Sequence, residues 1–272
     1  MTRNTAKQRA AFRDLHQAGC FVLPNPWDIG SARLLQDLGF VALASTSSGF
    51  AWSQGRPDYA VTLEGLLAHL TALSQAVDLP INADFEAGFA VEPQDIHRNV
   101  GLAIGTGIAG LSIEDRDLAA SQLFDTALAV ERIRAARAAI DQSGENVILV
   151  ARTELLLIDG TAVSPAIDKL VEFAEAGADC LFAPGVRSKE DIATMVKAVA
   201  PKPVNVLVMD PAMTVAELAD LGVRRISVGG SLARASWGGM LAAAERIKAG
   251  FFDGLATGAP GKRLNDTFRK FD

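Results

Sequence analysis

The chain has 272 residues, a formal net charge of −6 at pH 7, 49% hydrophobic residues and two cysteines. That length suits one large α/β domain. The acidic balance, with no apolar run of bilayer length, gives no footing for nucleic acid or a membrane as partner. Cys20 and Cys180 fall in apolar, strand-like stretches and read as buried thiols, the polar start lacks the apolar core of a leader, and a cytoplasmic protein is expected.

In chain order, an amphipathic helix over 6–18 precedes a strand over 19–24 and a helix over 28–38. A second strand covers 40–45, and a helix capped by Thr62 covers 62–76. The third strand leads to Asp84 and a helix over 92–104, and the fourth leads to Glu114 and a long helix over 126–142. Strands over 146–151, 179–183, 204–208 and 225–228 then alternate with helices over 165–175, 189–198, 215–221 and 232–249. Helices close on Gly39, Gly107, Gly177 and Gly222, as C-cap chemistry favours. Eight strand–helix units joined by short turns predict a single (β/α)8 TIM-type barrel domain over 19–249. A doubly wound open sheet is the second choice, and Asn25-Pro26-Trp27-Asp28 after the first strand is no glycine fingerprint for it. The tail, 250–272, carries Phe251, Phe252, Leu255, Leu264, Phe268 and Phe271 and is expected to dock on its own barrel or on a partner subunit.

Polar candidates gather where the strands end, the face on which barrels carry chemistry. They are Asn25 and Asp28, Ser45-Thr46-Ser47-Ser48, Asp58, Asp84, Glu86, Glu114, Arg152 and Glu154, Asn205, and Ser227 with Gly229-Gly230. Asp84 and Glu86 stand at i and i+2 of a short apolar run, so an extended backbone points them the same way, and Glu114 joins them from the next strand. Three carboxylates in one small volume call for a cation, and Mg²⁺ suits oxygen ligands, with Mn²⁺ an alternative. Arg152 adds the positive charge needed to hold an anionic substrate. The hydroxyls of Ser45 to Ser48 offer donors to its carboxylate, and Trp27 and Trp52 stand on strand-end loops as pocket walls. His16, His69 and His97 all fall on helices expected to face outward, which removes histidine from the chemistry.

Asn25-Pro26-Trp27-Asp28, Thr46-Ser47-Ser48-Gly49 with Gly55-Arg56-Pro57-Asp58, Asp84-Phe85-Glu86, Ile113-Glu114-Asp115 and Ala151-Arg152-Thr153 run in register over most of the chain. Together they resemble the isocitrate lyase/phosphoenolpyruvate mutase superfamily. The resemblance implies a (β/α)8 barrel, Mg²⁺, a bound 2-oxo or 2-hydroxy carboxylate and cleavage of a C–C or C–P bond. It also implies a dimer of dimers that exchanges the last helix. By residue it implies Ser45, Thr46 and Ser47 on the substrate carboxylate, Asp58, Asp84, Glu86 and Glu114 around the metal, and Arg152 on the substrate. Trp27 and Asn205 are added here as substrate contacts, and Arg152, Asp58 and Glu114 as the catalytic set.

The departures from the family pattern carry equal weight. The segment 116–124 holds none of the Cys, Lys or His that family lyases place after the fourth strand. The sixth strand leads to Ala183-Pro184-Gly185 with no histidine, and Glu86 stands where Asp is usual. Decarboxylation of an oxaloacetate-like acid needs only a metal and Arg152, and it is the leading expectation. A retro-aldol lyase for a 2-alkylmalate or methylisocitrate-like acid, with Glu154 or Asp58 as acid, is the alternative. Phosphonopyruvate-type C–P chemistry and a non-catalytic dicarboxylate-binding barrel follow.

Overall fold

Inward and outward side chains alternate along every strand of an eight-stranded parallel sheet, and that alternation builds both the core and the site. In the computed structural model, which describes residues 4–271, the sheet runs β1 (Phe21–Leu23), β10 (Arg225–Ser227), β9 (Val204–Leu207), β8 (Cys180–Phe182), β7 (Ile148–Arg152), β4 (Gly110–Glu114), β3 (Ile81–Asp84) and β2 (Leu43–Ala44). It is a nearly closed, TIM-like barrel. The seam between β1 and β2 carries a main-chain bond from Ala44 N to Pro24 O (3.1 Å) and the side chain of Asn25. Its Nδ2 donates to Ser45 O (3.0 Å), while its Oδ1 accepts from Val228 N (3.0 Å) and Gly229 N (2.9 Å).

Ile81, Ala83, Leu111, Ile113, Leu149, Ala151, Leu181, Val204, Val206 and Ile226 face outward into one apolar layer with the surrounding helices. The alternate positions face the barrel axis. Phe21, Leu23, Ile148, Val150, Cys180 and Phe182 supply apolar side chains there, and Asp84, Ser112, Glu114 and Arg152 lie towards the top.

The helices cover the sheet much as their caps and periodicity predict. They are α2 (Ile29–Asp37), α4 (Leu63–Ala76), α5 (Pro93–Gly105), α6 (Thr126–Ser143), α8 (Val163–Glu175), α9 (Lys189–Val199) and α10 (Val215–Asp220). Asp28 caps α2 with a reciprocal Ser31 bond, and Thr62 caps α4. Gly39, Gly107, Gly177 and Gly222 all take the positive φ that a helix-ending turn requires. The second strand is much shorter than the predicted 40–45, because Phe40 to Ala42 serve the turn out of α2. Cys20 and Cys180 are free thiols.

The first helix, α1 (Thr5–Leu15), closes the floor of the barrel. Phe12 enters the interior beside Phe21. Gly110 makes room for it, since a Cβ there would lie 2.7 Å from Phe12 Cε1 and 2.8 Å from Asn82 Oδ1. Arg9 and Arg13 tie the helix to Ile108 O, Ile104 O and Asp179. His16, expected on an outward face, is instead buried at the end of α1. Burial, and then the nearby Arg225 cation, pull its pKa down to about 3. The helix lies across the end of the sheet rather than along its side, so the face that carries Phe12 and His16 meets the interior.

The last long helix departs further from expectation. α11 (Ser231–Lys248) buries only Ala233 and does not cover the barrel wall, leaving Met240, Leu241 and Ile247 exposed, with Phe251, Phe252 and Leu255 beyond its end. The tail then returns as α12 (Gly261–Phe268), which docks on α2: Thr267 Oγ1 donates to Asp37 Oδ2 (2.9 Å), Lys270 pairs with Asp37, and Arg33 covers the Phe271 ring. Among the described residues no helix is long and apolar enough to cross a membrane.

Two outcomes test this packing. Gly110→Ala is expected to destabilise the fold by about 1–3 kcal/mol through overpacking against Phe12 and the Ile148 carbonyl, read from the urea midpoint at unchanged m-value. His16 is neutral when buried and ionises more readily in the unfolded chain. Its contribution to stability is therefore complete above its ordinary pKa of 6.5 and is lost as pH falls from there towards about 3. His16→Gln should flatten the decline of melting temperature between those limits; an unchanged slope would show that His16 does not couple folding to pH.

Candidate functional site

Three inward strand-end residues and one short loop build the mouth of the barrel. Register sets Glu114 beside Arg152 and Arg152 beside Phe182. The Arg152 guanidinium lies among carboxylates: Nε is 2.5 Å from Glu154 Oε1 and 3.3 Å from Glu114 Oε2, and Nη1 is 3.4 Å from Asp84 Oδ1. Burial opposes its charge, but Glu114, Glu154 and Asp84 more than offset that cost and hold its pKa well above the usual arginine value. Asp84 is fixed from its other side by Ser47, whose N–H (2.9 Å) and Oγ (2.8 Å) both donate to Oδ2. Ser45 Oγ accepts from Asp84 N (2.9 Å).

Glu154 is placed by a buried pair behind the site. Asp115 Oδ1 accepts from Glu154 N (2.9 Å), and its Oδ2 accepts from Thr153 Oγ1 (2.8 Å) and Lys169 Nζ (2.9 Å). The lysine comes from α8, so a helix on the outside of the barrel holds the turn that follows β7.

These groups border a cavity of about 150 Å³ that descends into the barrel. Its lining includes Ser45, Thr46, Ser47, Ser48, Asp58, Asp84, Arg152 and Asn205 of the predicted set, and no His, Cys or Lys. Asp58 belongs to an exposed rim loop with its carboxyl turned to the mouth, where burial and then the charge of Asp84 raise its pKa.

Several predicted roles change. Trp27 does not line the cavity; it packs beside Gly49 of α3 (Ser47–Ser53), a short helix not predicted from the sequence. Thr46 caps that helix by accepting from Gly49 N, Ser45 Oγ accepts from Asp84 N, and Ser47 donates to the Asp84 carboxylate, so these hydroxyls also shape the site. Asn205 is committed on both sides, accepting from Arg225 Nε (2.9 Å) and donating to Ser227 Oγ (2.9 Å). Gly229 donates to Asn25, and Gly230 lies against Ser48 and the Trp52 ring, a contact that leaves no room for a side chain.

The carboxylate trio changes most. β3 stops at Asp84, and Glu86 takes a left-handed φ of 48°, so the i, i+2 geometry of a continuing strand does not apply. Glu86 and Glu114 sit behind the cavity wall, joined by a main-chain bond from Glu114 N to Glu86 O (3.0 Å). Among the described residues no three His, Cys, Asp or Glu side chains gather round one point as a ready cation cage, because Arg152 occupies the centre. The surrounding charge nevertheless fits a divalent cation. Glu86 Oε1, Glu114 Oε1 and Glu154 Oε2 are buried without a hydrogen-bond partner. Burial, then Asp84 and Glu114, pushes Glu86 up to about 8, and burial likewise raises Glu114 against the pull of Arg152. One guanidinium does not balance this many carboxylates.

Two contributors carry no sequence signal of their own. Tyr59 follows Asp58 and lines the mouth beneath the Arg116 guanidinium, 5.2 Å from its ring centroid; only its place next to Asp58 could have marked it. Arg225, at the foot of β10, looks in sequence like a strand-start surface residue.

A model of the family described as phosphoenolpyruvate phosphomutase matches residues 12–248. The chain belongs to the PEP mutase/isocitrate lyase superfamily. An uncharacterized protein of Mycobacterium tuberculosis (Rv1998c) is 34% identical over 221 residues, 80% of this chain and 81% of that one. An oxaloacetate decarboxylase of Pseudomonas savastanoi pv. phaseolicola is 31% identical over 227 residues, 79% and 76% of the two chains. Among solved structures, a putative lyase/mutase from Burkholderia cenocepacia superposes with a TM-score of 0.94 at 40% identity over 97% of each chain. Oxaloacetate acetylhydrolase in complex with its product oxalate superposes at 0.85, with 27% identity over 97% of this chain and 93% of that one.

Lys169→Met is expected to destabilise the protein by about 3–5 kcal/mol, since it leaves the Asp115 carboxylate buried without its cation. A denaturation midpoint close to that of the unaltered protein would show that Asp115 does not depend on Lys169.

Proposed function

We propose that the chain is a metal-assisted lyase that decarboxylates a small 2-oxo dicarboxylic acid of the oxaloacetate type. The observation that carries this reading is an arginine held at the cavity mouth by three carboxylates, in a lining that offers no Cys, His or Lys as proton donor. Similarity to an oxaloacetate decarboxylase supports it.

Asp84, with Glu86 and Glu114 behind it, would hold Mg²⁺ or Mn²⁺, which when bound draws electron density from the substrate's carbonyl and adjacent carboxylate oxygens. Arg152 faces the C2 oxygen. As the C3–carboxylate bond breaks, its electron pair moves into the C2–C3 bond, carbon dioxide leaves, and the charge that collects on the C2 oxygen meets the fixed guanidinium. Ser47 keeps Asp84 oriented through two donors, and Asp115 keeps Glu154 against Arg152, so neither has to reorganise as charge develops. Phe182 and Leu207 supply apolar wall below the reacting carbon. The enolate carbon takes its proton from water entering at the Asp58 rim.

A second reading, C–C cleavage of a 2-alkylmalate-like acid, rests on Asp58 and Tyr59, two groups of the lining able to pass on a proton. The bare apolar face of α11 and of the turn beyond it supports a homo-oligomer that exchanges this helix between copies.

Pyruvate and carbon dioxide release from oxaloacetate should require Mg²⁺ and be abolished by EDTA. Arg152→Ala should lower kcat by roughly 10²–10³-fold, the scale for losing one preorganised oxyanion partner, and Glu114→Gln should weaken the Mg²⁺ response. EDTA-resistant turnover, or an Arg152→Ala enzyme as fast as the original, rejects the proposal. Cleavage of an alkylmalate in its place selects the second reading, and tight dicarboxylate binding without turnover makes the barrel a binding protein.

A further inference from the structure

Arg225 is a buried cation that the proposed reaction does not use. It begins β10, faces the barrel axis, is only 3% exposed and forms part of the cavity floor. The other buried cations are compensated: Arg9 by Glu145, Lys169 by Asp115, Arg152 by three carboxylates, and Arg132 by the carbonyls of Ala87, Ala90 and Val91. Arg225 has only neutral company. Its Nε donates to Asn205 Oδ1 (2.9 Å), and its Nη1 lies 3.4 Å from both Asn82 Oδ1 and His16 Nε2. Its Nη2 has no hydrogen-bond partner among the described residues.

A guanidinium without a counter-ion inside a barrel is costly, and a protein recovers that cost when an anion reaches it. The surroundings favour such a ligand. Asn82 and Asn205 turn their oxygens to Arg225 and so fix the fork. Ser227 Oγ accepts from Asn205, which leaves its own proton to donate into the cavity that it lines. His16, beneath the guanidinium, is held neutral and brings no competing charge. Nearby Phe182, Leu207 and Ala44 give the same space an apolar wall. At about 150 Å³ the cavity suits a small acid or a bare ion and is too small for a nucleotide.

We propose that Arg225 Nη2 and Ser227 Oγ form an anion subsite on the barrel floor, separate from Arg152 at the mouth, which takes one carboxylate group or one halide ion. The shared chemistry is a single compact negative charge; its source is either the far end of a bound acid or a free ion. The subsite does not depend on the reaction assigned above.

The test titrates chloride, exchanged at constant ionic strength for a bulky organic sulfonate, and separately oxalate and malonate, reading melting temperature and calorimetric binding. The full chain is compared with Arg225→Met, Arg225→Lys, Ser227→Ala and Arg152→Ala. Saturable binding is expected, weakened about 10–100-fold in Arg225→Met, the range for one lost charge-assisted hydrogen bond. It should be partly restored in Arg225→Lys and weakened a few-fold in Ser227→Ala. Chloride binding that survives Arg152→Ala identifies a free-ion site. Carboxylate binding lost in both Arg225→Met and Arg152→Ala identifies one acid spanning mouth and floor. If Arg225→Met fails to fold by circular dichroism, the lysine and Ser227→Ala variants decide. Absence of saturable anion binding, or binding that Arg152→Ala removes and the Arg225 and Ser227 variants leave intact, overturns the proposal.

Discussion

A guanidinium surrounded by three carboxylates at the barrel mouth sets the terms for the surrounding structure. Arg152 cannot leave without stranding Glu114 and Glu154, both buried, and they cannot shift without exposing it to an unbalanced field. Each neighbour is therefore held from a second direction. Ser47 restrains Asp84, and the Lys169–Asp115 pair restrains the main chain at Glu154. The chain of contacts runs from a helix on the outer surface, through two strand ends, to the short α3 helix on the far side of the mouth. Preorganisation of this kind gives a charged centre its effect on a developing anion, because the dipoles are already turned before the reaction begins.

Much of this arrangement was legible in the strands. Two-residue alternation assigns Asp84, Glu114 and Arg152 to the interior; parallel register sets Glu114 beside Arg152 and places Asp84 opposite Ser112, one inward position below Glu114. The helix cap at Thr62 and the glycine turns were legible for a local reason: backbone groups at helix ends demand specific residues. The alternation rule fails where the strand does. Glu86 lies two residues beyond the last extended position, and its left-handed turn carries the carboxylate behind the wall. The run of four hydroxyls gave no helix in the sequence, yet it leads into one, because Thr46 caps α3 and Gly230 lets Trp52 pack close.

Other features were hidden because they depend on distant partners. Nothing in the local sequence separates the inward Arg225 from its half-buried neighbour Arg224, since that difference arises only when the barrel closes round it. His16 looked like a surface residue because helical periodicity says which face is apolar, and not that the helix lies across the end of a barrel. α11 has ordinary helical periodicity and gives no sign that the barrel wall does without it. Long-range placement is thus the part of the site that local patterns do not encode.

The Asn25 side chain joins the end of β1 to Ser45 on one side and to Val228 and Gly229 on the other, at the place where the ladder of main-chain bonds is thinnest. Ser45 is also the residue that accepts the Asp84 amide. The clasp that completes the cylinder and the platform that seats the central carboxylate therefore share one residue. In a heated protein the first breach of the ring and the first blurring of the reactive centre would be a single event, so the temperature at which turnover fades should follow the seam rather than the bulk of the helices.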